Sequence, residues 1–244
     1  MYNKNNNIVS YIYENMKIAG LQKVSLIDYP QKIACTIFTQ GCNFRCPYCH
    51  NPELLSTNSD KPYIDEAIFF DFLTQRKGKI DGVCITGGEP TLQKDLIDFI
   101  SKIVDLGFIV KLDSNGTDPT MLKQLINLEL LDYIAMDIKS PKAKYDKISQ
   151  THNLLPVISN SIKIIMESGV DYEFRTTAPK EILSIDDLKQ ISKELVGVKR
   201  WIIQNFQPFK TKGYKSPQFS TYSTQDLEEV VQFAKEFVKE VQIR

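Results

Sequence analysis

The feature that most constrains the fold is a regular alternation of short apolar runs with amphipathic stretches. Six runs are rich in β-branched residues and have the length of buried strands, at 33–39, 83–86, 108–112, 133–138, 172–176 and 201–204. Six stretches repeat apolar residues at helical spacing, at 65–75, 92–106, 119–130, 155–168, 184–195 and 224–241. Strands that alternate with helices predict βαβ units around a parallel sheet.

Right-handed crossovers repeated along such a sheet would curl it, so we predict an α/β fold of the partial (β/α)6 parallel barrel type. A flat doubly wound sheet has the same order of elements and is the alternative. The chain has 244 residues, a length that suits one barrel domain. We expect that domain at 20–244, after a polar N-terminal tail at 1–19.

Charge and hydropathy argue against two classes of partner. Lys plus Arg and Asp plus Glu number 30 each, so the formal charge of zero predicts no nucleic-acid partner. No run approaches the roughly 18 consecutive apolar residues that a spanning helix needs. The Asn-rich start lacks the apolar region of a secretory signal. We therefore predict a cytoplasmic protein without a membrane partner.

Three cysteines within eight residues give the strongest chemical signal. Cys42, Cys46 and Cys49 have the spacing C-x3-C-x2-C, and thiolates are soft ligands for iron–sulfur clusters or for zinc. Three thiolates without a fourth nearby would leave one iron of a cluster open to another ligand. The alternative is a structural zinc site completed by His50.

Chemically unusual segments follow all six strand runs. They lie at 41–50, 87–90, 113–116, 137–139, 175–177 and 205–207. Because the carboxyl ends of parallel strands meet at one face of the sheet, we expect these segments to form one shared site.

Each segment also has a simpler interpretation. Gly87 and Gly88 would let the backbone approach a ligand, and Glu89 would bind a cationic group, but a strand-to-helix turn has the same pattern. The segment at 113–116 offers groups for ribose hydroxyls, or it is an Asn-Gly turn. Arg175 could clamp a carboxylate or form a structural ion pair.

The segments at 42–49, 87–90 and 136–139 together resemble radical S-adenosylmethionine enzymes. The stretch Ser-Leu-Ile-Asp-Tyr-Pro at 25–30, with its continuation through 39–54, is similar to the activating proteins of anaerobic ribonucleoside-triphosphate reductases. Glycyl-radical activases as a group, including the pyruvate formate-lyase activating enzyme, are similar over the strand-end loops. The resemblance runs from about residue 20 to about residue 212.

The resemblance implies two cofactors, a [4Fe-4S] cluster and S-adenosyl-L-methionine. Cys42, Cys46 and Cys49 would ligate three irons, and the fourth iron would chelate S-adenosylmethionine. The implied cofactor contacts are Tyr48, Gly87, Gly88, Glu89, Asp113, Ser114, Asn115, Asp137, Lys139, Arg175 and Gln207. Gln207 stands where formate-lyase activases have a histidine, and Gln31 stands where many relatives have glycine.

The implied function is an oxidoreductase that cleaves S-adenosylmethionine reductively and generates a glycyl radical on a partner enzyme, anaerobic ribonucleotide reductase. The implied electron donor is a reduced flavodoxin- or ferredoxin-type protein. One alternative is a radical enzyme that acts on a small molecule, as a deazaguanine synthase does. The other is a zinc-binding module without catalysis.

Overall fold

The computed structural model describes residues 15–58, 61–208 and 219–244. Within these ranges the strands are β1 (Ile18–Ser25), β2 (Ala34–Thr39), β3 (Gly82–Gly87), β4 (Ile109–Ser114), β5 (Tyr133–Asp137), β6 (Asp171–Ala178), β7 (Arg200–Asn205) and β8 (Glu240–Ile243). The helices are α1 (Glu66–Arg76), α2 (Leu96–Asp105), α3 (Pro119–Asn127), α4 (Tyr145–Ser149), α5 (Leu155–Glu167), α6 (Ile185–Glu194) and α7 (Thr224–Ala234). Short 3-10 turns occupy Pro52–Leu54, Pro90–Leu92 and Lys142–Lys144.

The described strands form one sheet in which spatial order follows chain order from β1 to β8. β1 is antiparallel to β2, and every later neighbour is parallel. A doubly wound sheet reverses direction at a switch point, and this sheet does not. Parallel strands are generally joined by right-handed crossovers, and with this strand order such crossovers lie on one face of the sheet. The prediction of a partial parallel barrel is confirmed.

The six predicted strands are confirmed as β2 to β7, and the helix predicted at 184–195 begins with a capping box formed by Ser184 and Asp187. The last predicted helix, 224–241, is wrong beyond Ala234, because Glu240–Ile243 forms β8 against β7. Val238 and Val241 are buried as they would be in a helix, so the sequence spacing did not separate the two structures. The helix predicted at 92–106 begins only at Leu96, after a 3-10 turn.

The predicted tail at 1–19 is wrong for its last residues. Ile18 is fully buried in β1, and Met16 is only 3% exposed. Residues 1–14 lie outside the described residues, and the single-domain assignment stays a prediction. In the described part of the chain, no helix has the length and apolar character needed to cross a membrane.

Side chains around the β1–β2 connection pack together at the amino ends of the strands. Tyr29 is 4% exposed and packs against Tyr133 with 5.9 Å between ring centres. Glu173 is fully buried, accepts two hydrogen bonds from Arg244 at 3.0 and 2.9 Å, and accepts a third from Tyr133 at 3.0 Å. Because these charged groups are paired within the described residues, this end of the barrel is a structural floor.

Gln31, in the same connection, has φ +60°. This left-handed conformation favours glycine, the residue that many relatives of the resembled family have there. The glutamine side chain therefore strains the β1–β2 connection.

Candidate active site

A cavity of about 390 Å³ lies at the carboxyl ends of the parallel strands. Every predicted site residue except Gln207 lines it: Cys42, Cys46, Tyr48, Cys49, Gly87, Gly88, Glu89, Asp113, Ser114, Asn115, Asp137, Lys139 and Arg175. The parallel topology explains this convergence, because all of these segments follow strands that end at the same face.

Gln207 is the exception among the predicted residues. It is exposed and lies two residues beyond the end of β7, whereas Gln204, within β7, lines the cavity. His50, also on the cavity wall, stacks on Phe206 with 5.4 Å between ring centres and hydrogen-bonds to the backbone of Gln207. The structure thus brings Gln204, and not Gln207, to the candidate site.

The cysteine loop lies against one side of the cavity and is anchored by aromatic residues. Phe44 and Tyr48 are each 2% exposed, and the Tyr48 hydroxyl donates to the carbonyl oxygen of Lys139 at 3.1 Å. All three cysteines of the loop are free thiols. Burial raises the pKa of the Cys42 thiol to about 11, and it also raises the pKa of Cys46 and Cys49.

The glycine loop after β3 is hydrogen-bonded to the start of the cysteine loop. The N–H of Gly88 donates to the carbonyl of Thr39 at 2.9 Å, and the N–H of Glu89 donates to the carbonyl of Gly41 at 2.8 Å. A Cβ at position 88 would lie 2.0 Å from the carbonyl oxygen of Gly41. Only glycine permits this approach of two backbones.

Glu89 organises the loops from inside the protein. Its carboxylate is 1% exposed and accepts hydrogen bonds from the Thr91 N–H at 3.1 Å, the Thr91 hydroxyl at 2.6 Å, the Ser114 hydroxyl at 2.8 Å and the Asn115 N–H at 2.6 Å. Burial raises the pKa of Glu89, and these hydrogen bonds oppose the shift. The carboxylate therefore caps the turn at Pro90–Leu92 and holds the β4 loop in place.

Five charged side chains alternate in sign across the ends of β4, β5 and β6. Lys111 pairs with Asp113, and Arg175 pairs with both Asp113 and Asp137 at 3.0 Å. Lys139 completes the series with a contact of 2.9 Å to Asp137. We call Lys111, Asp113, Arg175, Asp137 and Lys139 the charge ladder.

The charge ladder keeps its carboxylates ionised. Burial alone would raise the pKa of Asp137, but Arg175 and Lys139 outweigh burial and bring it to about 2. Asp113 follows the same balance, in which Arg175 and Lys111 hold its pKa below the usual value. The ladder carries three cations and two anions, and its four members that line the cavity are balanced in charge. Among these four, Arg175 and Lys139 offer charged donors to an anionic ligand group.

Eight further residues line the cavity without having been predicted as site residues: Asp28, Phe44, His50, Asn51, Leu55, Thr86, Thr177 and Gln204. Asp28 reaches the cavity from the β1–β2 connection and accepts a hydrogen bond from Thr36 at 2.6 Å. Thr86, Thr177 and Gln204 are strand residues at or near the carboxyl ends. Their position in the strands was the available signal, whereas nothing in the sequence pattern indicates that Asp28 turns inward.

A comparison with known protein families identifies the family of this chain. The sequence profile of the radical SAM superfamily matches residues 36–196, well over half of the chain. The chain belongs to the radical SAM superfamily.

Three relatives show which radical SAM enzymes this chain is similar to. The chain is 33% identical to a Methanocaldococcus jannaschii protein provisionally named a glycyl-radical enzyme activating enzyme, over 93% of this chain and 95% of that protein. It is 31% identical to the pyruvate formate-lyase-activating enzyme of Listeria monocytogenes, over 58% of this chain and 60% of that enzyme. It is 29% identical to the 7-carboxy-7-deazaguanine synthase of Thermoplasma acidophilum, over 56% and 62% of the two chains.

Solved structures share the fold. A radical SAM methyltransferase from Sphaerobacter thermophilus superposes with a TM-score of 0.69 at 12% identity, covering 88% of this chain and 67% of that one. Streptococcus suis SuiB bound to S-adenosylmethionine superposes with a TM-score of 0.63 at 15% identity, covering 84% and 48%. The radical SAM fold is therefore present over most of this chain.

Radical SAM enzymes use a [4Fe-4S] cluster and S-adenosylmethionine, and the residues present fit both. A cluster binds each thiolate at a different iron, and three free thiols lie on one cavity wall. Among the described residues, no three His, Cys, Asp or Glu side chains form a group that could hold a single metal ion. Membership of the radical SAM superfamily favours the cluster over the alternative zinc site with His50.

Proposed function

We propose that this radical SAM enzyme is an activating enzyme that generates a glycyl radical on a partner protein. The observation that carries the proposal is the 33% identity to the Methanocaldococcus jannaschii relative over nearly the whole length of both chains. The similarity at 25–30 and 39–54 to activating proteins of anaerobic ribonucleotide reductase supports that reductase as the partner.

The chain's own residues have distinct roles in this proposal. Cys42, Cys46 and Cys49 would hold the cluster, which together with S-adenosylmethionine supplies reductive cleavage of a carbon–sulfur bond when both are bound. Arg175 and Lys139, the cavity-lining cations of the charge ladder, would bind the ligand carboxylate. The backbone at Gly87 and Gly88 leaves room for close approach of the methionine end.

The charge ladder also provides fixed orientation. Its five groups are held by one another before any ligand arrives, so they need little rearrangement on binding. A hydrogen atom on a glycine Cα must come into near-attack geometry with the reacting carbon, which requires a ligand held in one orientation. The rigid wall formed by Glu89, Ser114 and Asn115 serves that requirement.

The proposal includes a reduced flavodoxin- or ferredoxin-type electron donor and an oxidoreductase reaction in the cytoplasm. The donor is needed because cleavage consumes one electron that this chain alone does not supply. Dithionite can replace the donor in a test, so the identity of the donor need not be known first.

The test combines the reconstituted enzyme, dithionite, S-adenosylmethionine and an anaerobic ribonucleotide reductase under anaerobic conditions. We expect the EPR doublet of a glycyl radical on the reductase and an equal amount of cleaved cofactor. The Cys46→Ala variant should lose both the cluster absorption and the radical. Cofactor cleavage without a protein radical on any glycyl-radical partner would reject activation, and a colourless protein with bound zinc would reject the radical mechanism.

A second candidate function is radical chemistry on a small molecule. It is favoured by the 29% identity to the deazaguanine synthase and by a cavity of about 390 Å³, within the range of small-ligand sites. The same reaction mixture without a protein partner separates the candidates. Formation of a deazaguanine-type product, monitored by mass spectrometry, would favour the small-molecule enzyme.

A further inference from the structure

Arg45 lies between Cys42 and Cys46, and its side chain folds back onto the cysteine loop. One guanidinium nitrogen, Nη1, donates to the carbonyl oxygen of Cys42 at 2.6 Å and to that of Phe44 at 2.7 Å. These distances are short for N–H···O bonds, as is usual when the donor is charged. One side chain thus joins two peptide groups of the loop.

The loop depends on such contacts because residues 41–46 belong to neither a helix nor a strand. The backbone N–H of Arg45 donates to the carbonyl of Ser149, at the end of α4, at 2.9 Å. The side chain of Asn43 contacts Asn115 and Thr117, each at 2.8 Å. Within the loop itself, the two hydrogen bonds of Arg45 add to those from the Phe44 N–H to Cys42 Sγ at 3.4 Å and from the Cys49 N–H to the Cys46 carbonyl at 3.1 Å.

The groups that Arg45 contacts differ from those that the cations of the charge ladder contact. Lys111, Arg175 and Lys139 each contact an aspartate, whereas the guanidinium of Arg45 contacts neutral carbonyl groups in the described part of the chain. Arg45 is also exposed, yet its guanidinium is held against the backbone of a proposed cluster ligand. A positive charge beside a cluster favours the reduced state, which carries one more electron.

We propose that Arg45 is a positioning residue for the cluster. It holds the C-x3-C half of the loop in the shape that presents Cys42 and Cys46, and its charge raises the reduction potential of the cluster. The inference rests on the proposed function only in requiring that the three cysteines hold an iron–sulfur cluster.

The test uses the full chain, reconstituted anaerobically with iron and sulfide, as wild type, Arg45→Gln and Arg45→Lys. Two properties are measured, the rate of cluster loss to an iron chelator and the midpoint potential in an EPR-monitored titration. We expect Arg45→Gln to lose its cluster about 10-fold faster and to have a more negative potential. Arg45→Lys keeps the charge, so its potential should stay at the wild-type value and its cluster loss should be slower than that of Arg45→Gln.

The matched control is Lys79→Gln, which removes an exposed charge between α1 and β3, at the opposite end of the barrel. It should match wild type in both properties, and the Tm of the metal-free proteins should be the same for all four. Wild-type behaviour of Arg45→Gln, or a shift in Arg45→Lys as large as in Arg45→Gln, would overturn the proposal. Zinc in place of a cluster in the wild-type protein would instead overturn the proposed function.

Discussion

Glu173 and Arg175 are two residues apart on β6, so both side chains lie on the same face of the strand, yet they belong to opposite ends of the barrel. Glu173 is fully buried and belongs to the floor, where Arg244 and Tyr133 satisfy it. Arg175 bridges two aspartates at the wall of the cavity. Similar chemistry therefore serves stability at one end and, in our proposal, ligand binding at the other.

The difference lies in what remains available to a ligand. At the floor a groove of about 690 Å³ is lined by Tyr29, Tyr133, Arg200 and Arg244, but the buried Glu173 does not line it. At the carboxyl ends the charge ladder is equally well paired, but four of its five members line a cavity. The difference is that the paired charges of the ladder line the same cavity as the three cysteines, whereas the groove at the floor has no cysteine in its lining.

The largest effect is expected for Arg175→Met. The substitution would leave Asp113 and Asp137 without their shared partner and remove a carboxylate-binding group. We expect kcat/KM for cleavage of S-adenosylmethionine to fall by about 100-fold. The kcat/KM of Arg175→Lys should lie between those of Arg175→Met and wild type, because lysine keeps the charge but lacks the planar guanidinium group. An unchanged rate of cofactor cleavage in Arg175→Met would contradict the role of Arg175 in ligand binding.

Glu173→Gln is the matched change at the floor. Loss of the carboxylate charge weakens the contacts with Arg244 and Tyr133, so the free energy of unfolding should fall by about 1–3 kcal/mol in urea titrations. Cofactor cleavage at a temperature where both proteins are folded should equal that of wild type. A loss of cleavage as large as that of Arg175→Met would show that the two ends are not separate.

The charge ladder should also give stability a defined pH dependence. The pKa of Asp137 is about 2 in the folded protein, below its usual value, so its contribution is complete above the unfolded pKa and is lost as pH falls towards 2. We expect metal-free wild type to exceed Asp137→Asn by roughly 2 kcal/mol near neutral pH. Unfolding experiments should show that gap narrowing between about pH 4 and pH 2; a constant gap would contradict the ionised ladder.

The smallest effect is expected at the floor, for Gln31→Gly. Glycine relieves the left-handed strain at φ +60°, and the flexibility it adds to the unfolded chain offsets part of the gain. We expect the free energy of unfolding to rise by up to about 1 kcal/mol, with cofactor cleavage unchanged. Lys32→Gly, at the neighbouring position, should lower stability by about 0.5–1 kcal/mol.

The central strands could be predicted because their residues are buried against helices and against the barrel interior, which leaves continuous apolar runs. β1 escaped prediction because it is an antiparallel edge strand with three exposed residues in succession, at Gln22, Lys23 and Val24. β8 was missed because its apolar residues continue the helical spacing of α7. Edges carry weaker sequence signals than centres, since only one side of an edge strand is paired.

The candidate site could be located from the sequence because parallel topology brings every strand's carboxyl end to one face. The sequence did not predict which residue of each loop is the last to line the cavity. Gln204 and Gln207 differ by three positions, and only the structure shows which one lies at the cavity. The inward turn of Asp28 depends on the fold of the β1–β2 connection, which has no periodic pattern.

The backbone contact between Gly88 and Gly41 has a mechanical consequence. Two loops that touch without side chains between them cannot slide past each other or separate without breaking the hydrogen bonds from Gly88 and Glu89. The cysteine loop, which would hold the iron, and the glycine loop, which would contact the organic cofactor, are therefore held at a fixed distance from each other.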